Sequence, residues 1–196
     1  IGVRLVGSEM CIRDRLKSRG KKGSVAITIN NHNVTEDAVA ATFARAMKDY
    51  CPHLKILEVQ EEGPEPTKAI QVATSIMLAN PDIVAALSTT GGGPTTWAGA
   101  QKETGKKIVA VGMDYTRVNL DLVKSGQVWG AVAQPLFTEC LGSAKLLMEM
   151  ANGAPAPYWT KLEAPLITKE NVNDYYGLLD KLEPKYGANL NKNPDS

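Results

Sequence analysis

The chain is poor in the residues that most chemistry needs. Of its 196 residues only two are histidine, His32 and His53, so a histidine-based metal site has little material. Its three cysteines form no CxxC pair, which argues against zinc or a thiol redox motif. No run of 18 or more apolar residues offers a membrane span. The formal net charge is only +1, so no global field draws the chain to nucleic acid or anionic lipid. One short basic run, Lys17 to Lys22, reads as a solvated linker. Residues 1–15 lack the apolar h-region of a secretory signal. The opening also lacks an initiating Met, and Val6 to Arg15 resembles a translated sequencing-library adapter. That reading makes residues 1–22 artefact or linker and starts genuine protein near Leu16.

What is present is enough for a core, since 43% of residues are hydrophobic. Strand and helix signals alternate with short joints. Ser24–Ile29, Lys55–Val59, Ile83–Leu87, Lys107–Val111 and Val128–Ala133 read as buried strands. Between them, Val39, Phe43, Met47 and Tyr50 recur at helical spacing after an Asn or Thr cap with Glu36 and Asp37 in the first turn. Thr67–Ala79 is a second helix. Pro94, at a first helical position, opens a third. Arg117–Lys124, closed by Gly126, is a fourth. A fifth, over 136–151, carries an apolar face of Phe137, Cys140, Leu141 and Leu147. Leu162–Ile167 can add one more strand, and from Gly177 the sequence turns polar. Near-continuous apolar strands alternating with helices predict an α/β fold with a doubly wound parallel sheet.

Ligands of such sheets bind beyond the C-terminal strand ends. Those loops are rich in Asn, Asp, Gln, Thr and Gly, with no cysteine nucleophile. The pattern favours binding over catalysis. Asp114, after a buried strand, suits vicinal hydroxyls but equally suits capping the next helix. Gln134, at a strand end, can both donate to and accept from a hydroxyl. Gly91-Gly92-Gly93 lacks the GKT or GKS of a P-loop and the third glycine of GxGxxG, so a tight turn is the better reading. Trp97, Trp129 and Trp159 suit either a sugar face or the core, and the core is the commoner use.

Three stretches carry a resemblance: Val111-Gly112-Met113-Asp114, then Lys124-Ser125-Gly126-Gln127, then Ala131-Val132-Ala133-Gln134-Pro135. With Ala79-Asn80-Pro81-Asp82-Ile83 ahead of the third strand, they resemble, in order, the C-terminal half of ribose-type periplasmic sugar-binding proteins of ABC transporters. The match runs from about Gly23 to Thr168. The resemblance implies two α/β lobes closing on a monosaccharide or polyol, with Asp114 and Gln134 bonding its hydroxyls. It makes residues 23–134 the C-terminal lobe, 135–161 a segment of the N-terminal lobe and hinge, and 162–196 a return strand and tail, with most of the N-terminal lobe absent. It also places Asp37, Thr90 and Gly93 at the ligand. Asp37 stands where the family often has Arg, and Gly93-Pro94 where it often has Asn-Asp. Both departures remove groups suited to ribose and point to another sugar, a polyol or an acylated derivative.

The resemblance further implies no cofactor, no metal and no enzymatic activity. It implies an ABC permease as membrane partner, no nucleic acid, a monomer when complete, and a periplasmic or extracellular location. The second reading is the effector domain of a LacI-type regulator, which an upstream helix-turn-helix would reveal. A nucleotide-using dehydrogenase comes third, weakened by the broken glycine fingerprint. Without a second lobe, the 136–151 helix is predicted to expose its apolar face and to make the chain poorly soluble.

Overall fold

The computed structural model describes residues 22–184, apart from Trp159. The expectations for residues 1–21, for Trp159 and for the tail from 185 lie outside the described residues. The sheet is built from β1 (Gly23–Ile29), β2 (Leu54–Ile56), β3 (Gln60–Glu61), β4 (Ile83–Ser88), β5 (Val109–Met113), β6 (Gly130–Val132) and β7 (Leu166–Ile167). Its order is β2-β1-β4-β5-β6-β7, with β3 also pairing β1. All pairings are parallel except β6 with β7, which is antiparallel. The helices are α1 (Val34–Tyr50), α2 (Pro66–Ala79), α3 (Gly93–Thr104), α4 (Arg117–Ser125), α5 (Leu136–Ala151) and α6 (Val172–Leu182). This is the doubly wound α/β sheet expected from the alternation.

The two sheet faces differ in what they offer. Val25, Ile27 and Ile29 of β1 point to the α1 side, where Phe43 and Met47 meet them with Leu87, Val109 and Val111. Ala26, Ala86, Ala110 and Ala131 alternate to the other face. There, small side chains let α2, α3 and α4 approach, and the fully buried Trp97 fills the space with Met77 and Leu120. Trp97 is therefore core, and its indole N–H donates to the buried Thr28 hydroxyl at 3.3 Å. Trp129 packs at the margin of the α1-side cluster.

Several boundaries differ from the sequence reading. The strand expected over Lys55–Val59 is split into β2 and β3. Ile56 and Val59 both pack on the α1-side cluster while Leu57 packs on the other. Simple alternation would put Ile56 and Val59 on opposite faces, so the ladder breaks at Glu58 before rejoining β1 at Thr28. Helix α3 starts one residue early, at Gly93, with Gly92 as its cap. The return strand shrinks from Leu162–Ile167 to Leu166–Ile167.

The polar stretch from Gly177 does not end the structure, because α6 runs through it to Leu182. Tyr175, Tyr176 and Leu179 pack on the second cluster. Arg117 at the start of α4 reaches Glu183 and Asp180, with Nη2 contacts of 2.6 and 2.7 Å. Tyr176 donates to Asp121, and Lys124 lies 4.9 Å from the Tyr176 ring centre. The sequence pattern missed α6 because its core face mixes Tyr175 and Tyr176 with Val172 and Leu179, and the Tyr176 hydroxyl reaches Asp121 of α4.

Helix α5 behaves as the amphipathic pattern warned. None of its residues is buried, and Leu141, Leu147 and Met148 are more than 60% exposed, at 62%, 66% and 68%. No helix of the described residues is long and apolar enough to cross a membrane.

The core placement of Trp97 is testable. Trp97→Phe should lower unfolding stability by about 1–3 kcal/mol, since it leaves the Thr28 hydroxyl short of a partner and opens space. Urea unfolding measures this. A Trp97 that instead stacked on ligand would show unchanged stability and weakened binding.

Candidate functional site

The chain leaves β1, visits β2 and β3 on one side, then crosses to β4 on the other side of β1. That reversal opens a crevice at the C-terminal ends of β1 and β4, where open α/β sheets hold ligands. The loops there are polar and tied to one another. Asn33 caps α1 by accepting from the Thr35 and Glu36 amides at 3.1 and 2.9 Å. The Glu36 carboxylate then bridges the crevice, accepting from the Asn30 amide at 2.7 Å and the Thr89 hydroxyl at 2.6 Å. Glu62 lies deeper, 2% exposed, and one of its oxygens accepts from the Thr90 hydroxyl at 2.6 Å and the Ser88 hydroxyl at 3.1 Å.

Asp114 sits at the end of β5, and it is the non-glycine residue with a positive φ among those described, at 69°. An L side chain pays strain in this left-handed region, and Asp is among the few that tolerate it. Its backbone is held from two sides. The Asp114 amide donates to Val132 O at 2.9 Å, and the Asn119 side chain donates to Gly91 O and Met113 O at 2.9 and 3.1 Å. The Asp114 carboxylate presses on Gly91, where an added Cβ would stand 2.3 Å from Oδ2. Gly93 is equally constrained, since a Cβ there would fall 2.3 Å from the Ser88 hydroxyl. The glycine run is thus a close-packed turn, which is the reading the broken motifs favoured.

Asp114 does not cap α4, correcting the alternative left open from spacing. Thr116 does, accepting from the Asn119 amide at 3.2 Å. The Asp114 carboxyl is raised above the usual carboxylate range by its burial. Three buried acceptor atoms have no partner among the described residues: Asn30 Oδ1, Glu62 Oε2 and Asp114 Oδ1. All three follow C-terminal strand ends. Buried acceptors without donors are costly, and a donor-rich ligand is one way to satisfy them.

The other expected residues fall as follows. Gln134 is half-buried just past β6, next in the sheet to β5, and its side-chain amide has no hydrogen-bond partner among the described residues. Thr90 lies at the crevice, engaged with Glu62, and its carbonyl accepts from the Met113 amide at 3.3 Å. Asp37, half-exposed in the first turn of α1, pairs with His32 at 2.7 Å. This pairing raises the His32 pKa. Sequence reasoning missed Glu36 and Glu62. The Asn33-x-x-Glu36 spacing was a legible capping signal. Glu62, beside Glu61 in a polar stretch, carried none. Among the described residues, no group of three or more His, Cys, Asp or Glu could hold a metal. A cleft of about 470 Å³ lies at the opposite end of the sheet, lined by Lys107, Trp129 and Lys169 among others.

With fold and site described, comparison defines the class. Residues 9–155 match the model of the periplasmic binding protein domain, and the chain belongs to that family. Its structure resembles an ABC transporter solute-binding protein from Agrobacterium vitis bound to α-D-tagatopyranose, at 23% identity and a TM-score of 0.77, covering 88% of this chain and 58% of the other. A carbohydrate transporter solute-binding protein from Agrobacterium radiobacter, in complex with D-arabinose, gives 22% identity, a TM-score of 0.76 and coverage of 89% and 61%. An arabinose-binding protein from Geobacillus stearothermophilus gives 20%, 0.73, 86% and 61%. The chain therefore spans about three fifths of the length of these proteins.

The unpartnered Asp114 carboxyl generates a pH-dependent prediction. A carboxyl whose folded pKa is raised favours folding most below its unfolded pKa, and that advantage is lost as pH rises through the folded value. Asp114→Asn should therefore stabilise the chain at pH 7, by up to about 1 kcal/mol given partial exposure. The gain should shrink as pH falls through the acidic range. Thermal unfolding of both proteins from pH 4 to pH 7 reads this out. A gain constant across that range would show that the carboxyl is not disfavoured by burial.

Proposed function

We propose that the chain is part of the solute-binding component of an ABC importer, taking a monosaccharide or related polyol by lobe closure. The observation that carries this is Asp114. It is held in a strained backbone by two neighbouring loops, with one buried carboxyl oxygen unpartnered, and the uncommitted Gln134 amide stands at the next strand end. Strain kept at a strand end by surrounding hydrogen bonds is the signature of a preorganised contact. A carboxylate and an amide together can accept from and donate to vicinal hydroxyls. Asp37, Thr90 and Gly93 complete the proposed ligand surface, with Thr90 acting through Glu62 and Gly93 by keeping the turn close.

In this reading residues 23–134 form the C-terminal lobe, 135–161 belong to a second lobe and its hinge, and 162–196 return to the first. The exposed apolar face of α5 supports that division, since such a face is normally covered. Closure would be a hinge motion with no covalent chemistry. The partner would be a membrane permease, the location periplasmic or extracellular, and the complete protein monomeric. The effector-domain alternative has no observation in its favour, whereas two of the solved structures named above are solute-binding proteins of transporters and the third is an arabinose-binding protein.

Titrating the chain with D-arabinose, D-allose, D-fucose and D-tagatose by amide-resolved NMR tests the reading. At least one should give saturable shifts at Asp114 and Gln134. Asp114→Ala and Gln134→Ala should each weaken binding about tenfold or more. Saturable binding of a sugar that is indifferent to both substitutions would contradict the assignment.

A further inference from the structure

The loop that carries Asp114 is gripped from α6, the last helix described. Helix α4, which follows the loop, is nine residues long. A helix of that length depends on what packs against it. Its first turn has no acidic residue and begins with Arg117, a cation at the positive end of the helix dipole. The missing negative charge comes from α6. Arg117 Nε donates to the two Glu183 oxygens at 3.0 and 2.9 Å, and Nη2 donates to Asp180 at 2.7 Å. Asp180 and Glu183 stand at the C-terminal end of α6, where its own dipole disfavours them. Each helix thus carries charges here that suit its neighbour and not itself. An exposed ion pair contributes little alone, but a fork shared by two carboxylates is the geometry in which it counts. Within the loop, Tyr115 packs against Tyr175 of α6, with ring centres 5.6 Å apart and planes at 54°.

We propose that α6 is a strap that positions the ligand loop 114–116, with Tyr175, Asp180 and Glu183 as its positioning residues. The connection to Asp114 runs through Asn119, which is buried on α4. Its side-chain amide donates to Gly91 O, Met113 O and Asp114 O at 2.9, 3.1 and 3.3 Å. A slide or tilt of α4 therefore pulls on the backbone on both sides of the Asp114 side chain. That backbone is strained, at a φ of 69°, and a strained residue keeps its conformation only while its surroundings over-determine it. The strap holds α4 at Arg117 and the loop at Tyr115, so it keeps the Asp114 carboxyl in one place before ligand arrives. Its effect on affinity rests on the reading of Asp114 as a sugar contact.

The test compares Arg117→Ala, Tyr175→Ala, Tyr175→Phe and Tyr176→Phe in the full chain. Tyr176→Phe is the control, since it removes the hydroxyl tie to Asp121 farther along the same contact between α4 and α6. NMR gives two readouts: exchange of the Asp114 amide, which donates to Val132 O, and affinity for D-arabinose, D-allose, D-fucose and D-tagatose. Arg117→Ala and Tyr175→Ala should each speed Asp114 exchange and weaken the sugar that binds, by about tenfold. Tyr175→Phe keeps the ring and should retain both parent values, and Tyr176→Phe should change neither. If Arg117→Ala does not fold, Tyr175→Ala against Tyr175→Phe decides alone. Unchanged Asp114 exchange in the alanine variants, or a bound sugar indifferent to them, would overturn the proposal. So would an equal effect of Tyr176→Phe, because general loss of stability would then account for it. A parent chain that binds none of the four sugars, with the exchange pattern as expected, would sink the sugar reading and leave the strap standing.

Discussion

Strand β4 pairs with β1 on the side opposite β2 and β3, and that one reversal sets where everything else can go. It forces the β1 and β4 loops to diverge to opposite faces, leaving a crevice that no helix fills. The crevice is then cross-tied by polar groups. The Thr89 amide donates to Thr28 O at 3.0 Å, and Glu36 joins Thr89 to the Asn30 amide. The hydroxyls of Ser88 and Thr90 hold Glu62. These ties are made at the ends of buried strands, where little water competes, so they fix side chains tightly. The same rigidity leaves some acceptors unable to turn toward a donor of their own.

The alanine-lined face of the sheet is the other half of this arrangement. Because Ala86, Ala110 and Ala131 are small, α3 can lie close to the sheet, and its first turn can meet the strand ends. Gly93 against Ser88 and Gly112 against Pro94 are the closest of these approaches, with an added Cβ at 2.3 and 2.4 Å. The start of α3 is thereby drawn down onto the strand ends, with Gly91 against Asp114 and Gly93 against Ser88. Packing on one face thus determines the shape of the C-terminal strand edge.

Much of this was legible in the sequence, and what was not has identifiable causes. The near-continuous apolar strands and the helical spacing of Val39, Phe43 and Met47 dictate the α/β order directly. Asp114 and Gln134 were visible because each ends a buried strand. Their state was not: the positive φ of Asp114 depends on Val132 and Asn119, which are distant in sequence or act through the fold. Glu62 was invisible because a glutamate after a broken strand reads as solvated, and its burial comes from α2, α3 and the β4 loop. Helix α6 escaped because polar ties add to its apolar packing: the Arg117 fork to Asp180 and Glu183 and the Tyr176 hydroxyl on Asp121 join the contacts of Val172, Tyr175 and Leu179 with the core. Periodicity reports what an element needs from the core; it does not report what one loop needs from another.

The central claim is that ligand is held at the C-terminal edge of the strands, by acceptors that the protein itself leaves unsatisfied. Hydrogen–deuterium exchange with and without the sugar that binds tests this most directly. The account predicts slower exchange in segments 30–33, 88–93, 113–116 and 132–135, and none at the far end of the sheet. Protection confined instead to Lys107–Val109 and Thr168–Glu170, around the opposite cleft, would contradict it.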